Sequence, residues 1–206
     1  MRKIDKIVVG AFVLECLLFF GYRGYRAHHP RIPVETVQAS SVAVIGPHTL
    51  CEGQSSAPYT LVEFGDYQCP PCAGAYADTQ KILKKYHGKL KFTFRHYPLP
   101  MHQYAMDSAL LAEQARSVGA YWQVHDALYG LHTHIDPEAL DKLKHQFHLA
   151  AKRSDAEVER DRAAIEVDRE EGNALKIPGT PSFFLCCPDN RVVKITSLDI
   201  VPELLN

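Results

Sequence analysis

The sequence predicts an α/β domain preceded by a separate apolar N-terminal helix. Three observations carry the α/β class. The stretch "YTLVEFGDY" is β-branched and aromatic, and it runs directly into a segment with helical periodicity. Behind that segment "KLKFTFRHY" alternates as a strand does. Much later, "KIPGTP" leads into the apolar run "SFFL", a further strand.

The chain has 206 residues, enough for one domain and some additions. Its formal net charge of -1 argues against a nucleic-acid partner, which normally leaves a basic excess. No internal repeat or low-complexity tract interrupts it. The six cysteines are Cys16, Cys51, Cys69, Cys72, Cys186 and Cys187, too few for a disulfide-stapled miniprotein.

The first element is "IVVGAFVLECLLFFGY", an apolar run of 16 residues broken by Glu15. As a helix it spans roughly 24 Å, short of the ~30 Å hydrocarbon core. Snorkelling arginines and flanking aromatics close that gap. Arg2, Lys3 and Lys6 precede the run, and Arg23, Arg26 and Arg31 follow it, so charge gives no clean orientation. A cleaved signal peptide lacks its small-x-small site here, and Glu15 is a poor neighbour for lipoprotein chemistry at Cys16. An uncleaved signal anchor over residues 1–27 is the favoured reading. Residues 28–49 then read as a linker, and 50–206 as the folded domain.

The next element is a buried strand over residues 60–64, followed by "CPPC". Cys72, Ala75, Tyr76, Thr79, Ile82, Leu83 and Tyr86 recur at three and four, which predicts a helix ending at Gly88. Prolines suit its first turn, where an N–H is orphaned anyway. The cysteine pair therefore sits where a strand feeds a helix N-terminus. Free N–H groups and the helix dipole favour an anion there, and a thiolate is that anion. Cys69 is the candidate nucleophile; Cys72, one turn in, is shielded. Half a zinc site is an alternative, but adjacent Cys186 and Cys187 make poor ligands for one tetrahedron. An inert disulfide is another, but so short a loop gains little stability.

Beyond the second strand the chain is helix-rich. Asp136-Pro137-Glu138 is a helix start, and "AEVERDRAAIEVDREEG" reads as a charged helix with a solvated face. His125, His132 and His134 read as scattered histidines rather than a metal site, because no familiar ligand spacing completes them.

Taken together, "LVEFGDYQCPPC", "FRHYPLP", "YWQVHDALY" and "IPGTPSFFL" resemble the DsbA-like branch of the thioredoxin superfamily. The resemblance implies a thioredoxin fold with a helical insertion over about residues 101–172. It implies Cys69 as attacking and Cys72 as resolving cysteine, joined in a redox-active disulfide. Thr180 and Pro181 look like the cis-proline loop facing that pair, and with Pro70 and Pro71 they form the expected substrate-binding surface. Glu63 looks like the buried acid that relays the Cys72 proton. Trp122, His125 and Asp126 match a family pattern, and packing of the insertion is their expected role. The chain departs from strongly oxidising relatives in lacking a histidine between the cysteines. "LCCPDN" also replaces the plainer hairpin after the cis-proline strand.

The expected function is extracytoplasmic thiol–disulfide exchange, forming, reducing or isomerising disulfides in exported proteins. No cofactor or metal is expected. The expected partners are cysteine-containing exported substrates, a membrane or soluble redox partner that resets the pair, and the membrane itself through the N-terminal helix. The catalytic domain is expected in the periplasm or its equivalent, on a single-pass anchor. Two alternatives stand beside this: a copper- or zinc-binding protein on the same fold, and a redox-inert adaptor.

Overall fold

The structure, a computed structural model, describes residues 35–37, 41–46, 49–131 and 134–205. The apolar run, with Cys16, lies outside the described residues, as does His132. Among the described residues no helix is long and apolar enough to cross a membrane.

The centre is a mixed five-stranded sheet in the order β1-β5-β4-β2-β3. Its strands are β1 (Glu35–Val37), β2 (Tyr59–Gly65), β3 (Leu90–His96), β4 (Ser182–Cys186) and β5 (Val192–Ile195). β2 pairs parallel with β3 on one flank and antiparallel with β4 on the other. A parallel pair needs a crossover, and the predicted helix supplies it. In the structure this helix, α2, runs Pro70–Lys85 rather than to Gly88, and Tyr86 caps it by donating its N–H to the Ile82 carbonyl. Gly88 instead takes a φ of 87° in the turn that follows.

Between β3 and β4 lie α3 (Ala105–Arg116), α4 (Tyr121–Gly130), α5 (Pro137–Gln146) and α6 (Asp155–Ala174). Local chemistry sets their starts. Asp136 accepts the Ala139 N–H at 2.8 Å to open α5. Ser154 and Glu157 form a capping box for α6. The short α7 (Val201–Leu204) follows a 3₁₀ turn at Leu198–Ile200.

Side-chain alternation along the strands divides the core between the two sheet faces. Leu61, Phe92, Phe183 and Leu185 pack with residues of α2 to α5. Val62, Phe64, Phe184 and Cys186 pack on the other face, against Val44.

The stretch expected as a linker, 28–49, contains two elements. β1 pairs antiparallel with β5, and α1 (Ser41–Ile45) buries Val44 completely. Arg95, 1% exposed, ties α1 down. Its Nη1 donates to the Val44 carbonyl at 2.8 Å and to the Ala43 carbonyl at 3.1 Å. Its Nε pairs with Asp168 of α6, and the guanidinium lies 5.3 Å from the Phe64 ring centroid. The other Asp168 oxygen accepts the His96 N–H at 2.8 Å. One buried charge pair thus joins the N-terminal segment, β3 and α6. Asp168→Asn leaves Arg95 buried with carbonyl partners alone. The expected cost is about 2 kcal/mol, below that of a fully enclosed pair because Asp168 keeps some water contact. Urea unfolding checks it, as a lower midpoint at an unchanged slope.

Candidate active site

β2 delivers the chain to the site at Gly65. A side chain there would meet the Phe94 ring within 2.3 Å and a Glu63 carboxyl oxygen within 2.9 Å, so the position needs glycine's small size. The loop Asp66–Gln68 then turns into α2. The Cys69 N–H donates to the Asp66 carbonyl at 3.1 Å, and the Cys69 carbonyl accepts from Ala73 at 3.1 Å, so Cys69 is the N-cap residue. Pro70 and Pro71 fill the first turn, and both are exposed.

Cys69 is 4% exposed and Cys72 is fully buried. Both are free thiols. The Thr180–Pro181 peptide is cis, and the Cys69 thiol lies 3.3 Å from the Thr180 carbonyl oxygen. The Thr180 hydroxyl is buried with no partner among the described residues, which leaves it free to donate to a thiolate.

The two thiols differ sharply in acidity. Cys69 is lowered from 9.0 to about 6. A hydrogen bond from the Cys72 thiol is the largest cause, opposed by burial and aided by Thr180 and the Cys72 backbone N–H; the Asp66 charge works against it. Cys72 is pushed far upward, first because its proton serves Cys69, then by burial and by the charge of Glu63. Charge therefore collects on the sulfur nearer solvent, and the inner sulfur keeps its proton.

Glu63 lies in the middle of β2, 1% exposed, in register with Phe94 and Phe183. Burial raises its carboxyl from 4.5 to about 8, the Cys69 charge adds to the rise, and Tyr129 offsets part of it. One Glu63 oxygen and the Tyr129 hydroxyl are both buried without a hydrogen-bond partner among the described residues. Tyr129 stands on α4, its ring 5.1 Å from Tyr76 and 5.0 Å from His125.

The structure thus brings Cys69, Cys72, Thr180 and Glu63 within electrostatic or hydrogen-bonding reach, with Pro181 joined to Thr180. Sequence reasoning missed Gly65, Asp66 and Tyr129. Only Asp66 carried a signal, as a short acid in a loop whose backbone must be fixed. His125 is buried among Phe94, Tyr67 and Trp122. Burial lowers it to about 3 and keeps it neutral, so it packs the insertion against the sheet. Asp126 accepts from the Tyr76 hydroxyl at 2.8 Å.

Cys51, Cys186 and Cys187 are free. Cys186 and Cys187 lie in the cores on opposite faces of the sheet. No group of three histidine, cysteine or acidic residues among those described could hold a metal ion. A cavity of about 600 Å³ opens elsewhere, lined by residues including Phe94, Arg116, Ala164 and Val167, with none of the cysteines.

The family described as Thioredoxin matches residues 46–194. Among curated relatives, the Na(+)/H(+) antiporter NhaA 1 of Salinispora arenicola is 31% identical over 136 residues, 65% of this chain. The chain spans 21% of that relative's length. A thioredoxin-like oxidoreductase from Silicibacter pomeroyi superposes with a TM-score of 0.65 at 23% identity, covering 80% of this chain and 95% of that one. The thiol-disulfide exchange protein alpha-DsbA2 of Wolbachia pipientis gives a TM-score of 0.64 at 18% identity, covering 80% and 89%. At these identities the solved structures establish the likeness of fold.

Proposed function

For a chain that belongs to the thioredoxin family, we propose thiol–disulfide exchange through Cys69, as a protein thiol–disulfide oxidoreductase of DsbA type. The observation that carries this reading is geometric: Cys69 is the N-cap of α2, its thiol 3.3 Å from the Thr180 carbonyl, with Cys72 fully buried one turn in behind it, and the acidity follows, Cys69 lowered and Cys72 raised. A thiolate near solvent with a protonated partner behind it is poised to attack and then to be released.

In the reducing direction, the Cys69 thiolate attacks one sulfur of a substrate disulfide. The substrate S–S bond breaks, a mixed disulfide forms, and the departing thiolate takes a proton from water. Glu63, having released its own proton to solvent, then takes the Cys72 proton as Cys72 attacks the Cys69 sulfur and expels the second substrate thiolate, which is protonated by water. The substrate gains two electrons and two protons, and the pair is left as a disulfide. Oxidation of a substrate dithiol is the same path in reverse. Glu63 is tuned to this sequence. The Cys69 charge helps keep it protonated in the resting state. Forming the mixed disulfide removes that charge, so the base appears at the step that needs it. Thr180, Pro181, Pro70 and Pro71 are the surface against which a substrate strand lies and pairs with the loop backbone.

The proposed setting is outside the cytoplasm, with the apolar run as single-pass anchor, exported cysteine-containing proteins as substrates and a separate redox partner that resets the pair. Dithiol exchange of this kind belongs where disulfides persist.

A Cys69 near 6 lies between the acidities of strongly reducing and strongly oxidising relatives of this fold, about 7 and about 3.5. The expected potential therefore lies between about -270 and about -120 mV. Pro71 offers no donor to the thiolate, so Pro71→His is expected to raise the potential by some tens of millivolts, one hydrogen bond's worth. Equilibration against glutathione buffers measures both. A pair that never exchanges with glutathione would instead mark a redox-inert adaptor.

A further inference from the structure

The cavity of about 600 Å³ takes no part in the proposed exchange. Small-molecule sites span about 300–1,000 Å³, and this one falls within that range. Phe94 of β3 and Ala163, Ala164 and Val167 of α6 give it apolar walls. Phe94 also packs against Tyr67, ring centroids 5.0 Å apart, in the loop that leads to Cys69.

The charged side chains that line the cavity are already paired. Glu113, 6% exposed, accepts from Nε and Nη2 of Arg116 at 2.8 Å each and meets His96 at 3.1 Å. Asp168 pairs with Arg95, and Asp161 pairs with Arg153 and, at 3.1 Å, with Arg160. The two hydroxyls of the lining are also engaged, Thr49 with the Ile45 carbonyl and Ser117 with the Gln114 carbonyl. Apolar exposure gathers at the same place. Of the four large exposed apolar residues among those described, Val167 lines the cavity, and Leu50 and Val118 directly follow the lining residues Thr49 and Ser117. Apolar surface gathered around a concavity marks a binding site.

We propose that this cavity binds a small, uncharged, largely apolar molecule, at a site separate from the thiol pair. The walls offer such a molecule dispersion contacts and surface to remove from water. An ionised ligand gains no counter-charge here, because each charge that it could meet is held in an existing pair whose breaking is costly.

The test does not depend on the role of Cys69. The full chain is titrated with N-phenylnaphthylamine, an uncharged dye that brightens in apolar surroundings. A parallel titration uses anilinonaphthalene sulfonate, the same skeleton with an anion attached. The apolar run of residues 7–22 offers both dyes another place, so the component read is the one that differs between native protein and variants. Val167 is 48% exposed, so Val167→Glu puts a charge in the wall without entering the core. It is expected to weaken the uncharged dye about tenfold. Ala164→Phe fills the space and should remove the same component. Met101→Ala changes an exposed apolar residue outside the lining and should leave it intact. The sulfonate should bind this component about tenfold more weakly than the uncharged dye. An unchanged component in either cavity variant, its loss in Met101→Ala, or sulfonate binding as tight as the uncharged dye would each overturn the proposal. So would a component that disappears as the protein is concentrated into dimers, which would make this face an interface between copies.

Discussion

Cys72→Ser is expected to react once and stop. Its Cys69 can still attack a substrate disulfide, but no second thiol follows to break the mixed disulfide. Covalent protein–substrate adducts should accumulate, disappear on reduction, and map to Cys69. Cys69→Ser should give no adducts and lose turnover of a disulfide peptide by about three orders of magnitude or more, as removal of a nucleophile does. The structure adds a second expectation. The hydrogen bond from Cys72 is the largest support for the Cys69 thiolate. A serine hydroxyl can still donate, so Cys72→Ser should keep an acidic Cys69, whereas Cys72→Ala should move it upward. Iodoacetamide rates against pH distinguish the two. Adducts on Cys72 in Cys69→Ser would reverse the assigned roles.

Glu63→Gln is expected to make the protein slower and more stable at once. The carboxyl titrates near 8 when folded against 4.5 ordinarily. A carboxyl raised on folding is protonated in both states at low pH. Above about 4.5 the unfolded chain releases its proton while the native state must hold it or bury a charge. Stability therefore falls as pH rises through this window and is lowest above 8. At ~1.4 kcal/mol per unit the full loss approaches about 5 kcal/mol. Glutamine removes that slope, so melting temperatures of the two proteins should diverge from pH 5 to pH 8. The kinetic cost comes from Cys72, whose proton then has no acceptor. Release of a preformed mixed disulfide should slow about 100-fold, and the native rise in that rate with pH should flatten. Equal pH–stability curves for native and Glu63→Gln protein would remove Glu63 from the site.

The first prediction rests on residues that the sequence displayed openly. A β-branched run ending in two cysteines and two prolines gives strand, helix start and thiolate by local rules alone. Glu63, Thr180 and Pro181 became legible only through the resemblance, because nothing nearby in sequence says that an acid in a strand is buried. What stayed hidden was set by distant parts of the chain. β1 has only three residues, two of them exposed, and β5 gives it its strand character. Arg95 alternates normally in its strand, and its burial depends on Asp168, 73 positions away. The pairing of Asp66 with His102 spans 36 positions with no spacing rule to announce it. Tyr129 reads as one apolar helix residue among several until its ring is seen against Tyr76 and His125.

The separation of Cys186 from Cys187 by the sheet has a consequence for selectivity. Under the proposed exchange, a protein that carries spare thiols risks scrambling its own. Here burial raises Cys186 to about 12 and also lifts Cys51 and Cys187, so all three stay protonated where Cys69 is an anion. Exchange needs a thiolate and a straight approach along the sulfur–sulfur axis. Neighbours on opposite faces of a hydrogen-bonded sheet have neither, so the sheet works as an insulator between bystander sulfurs and the working pair.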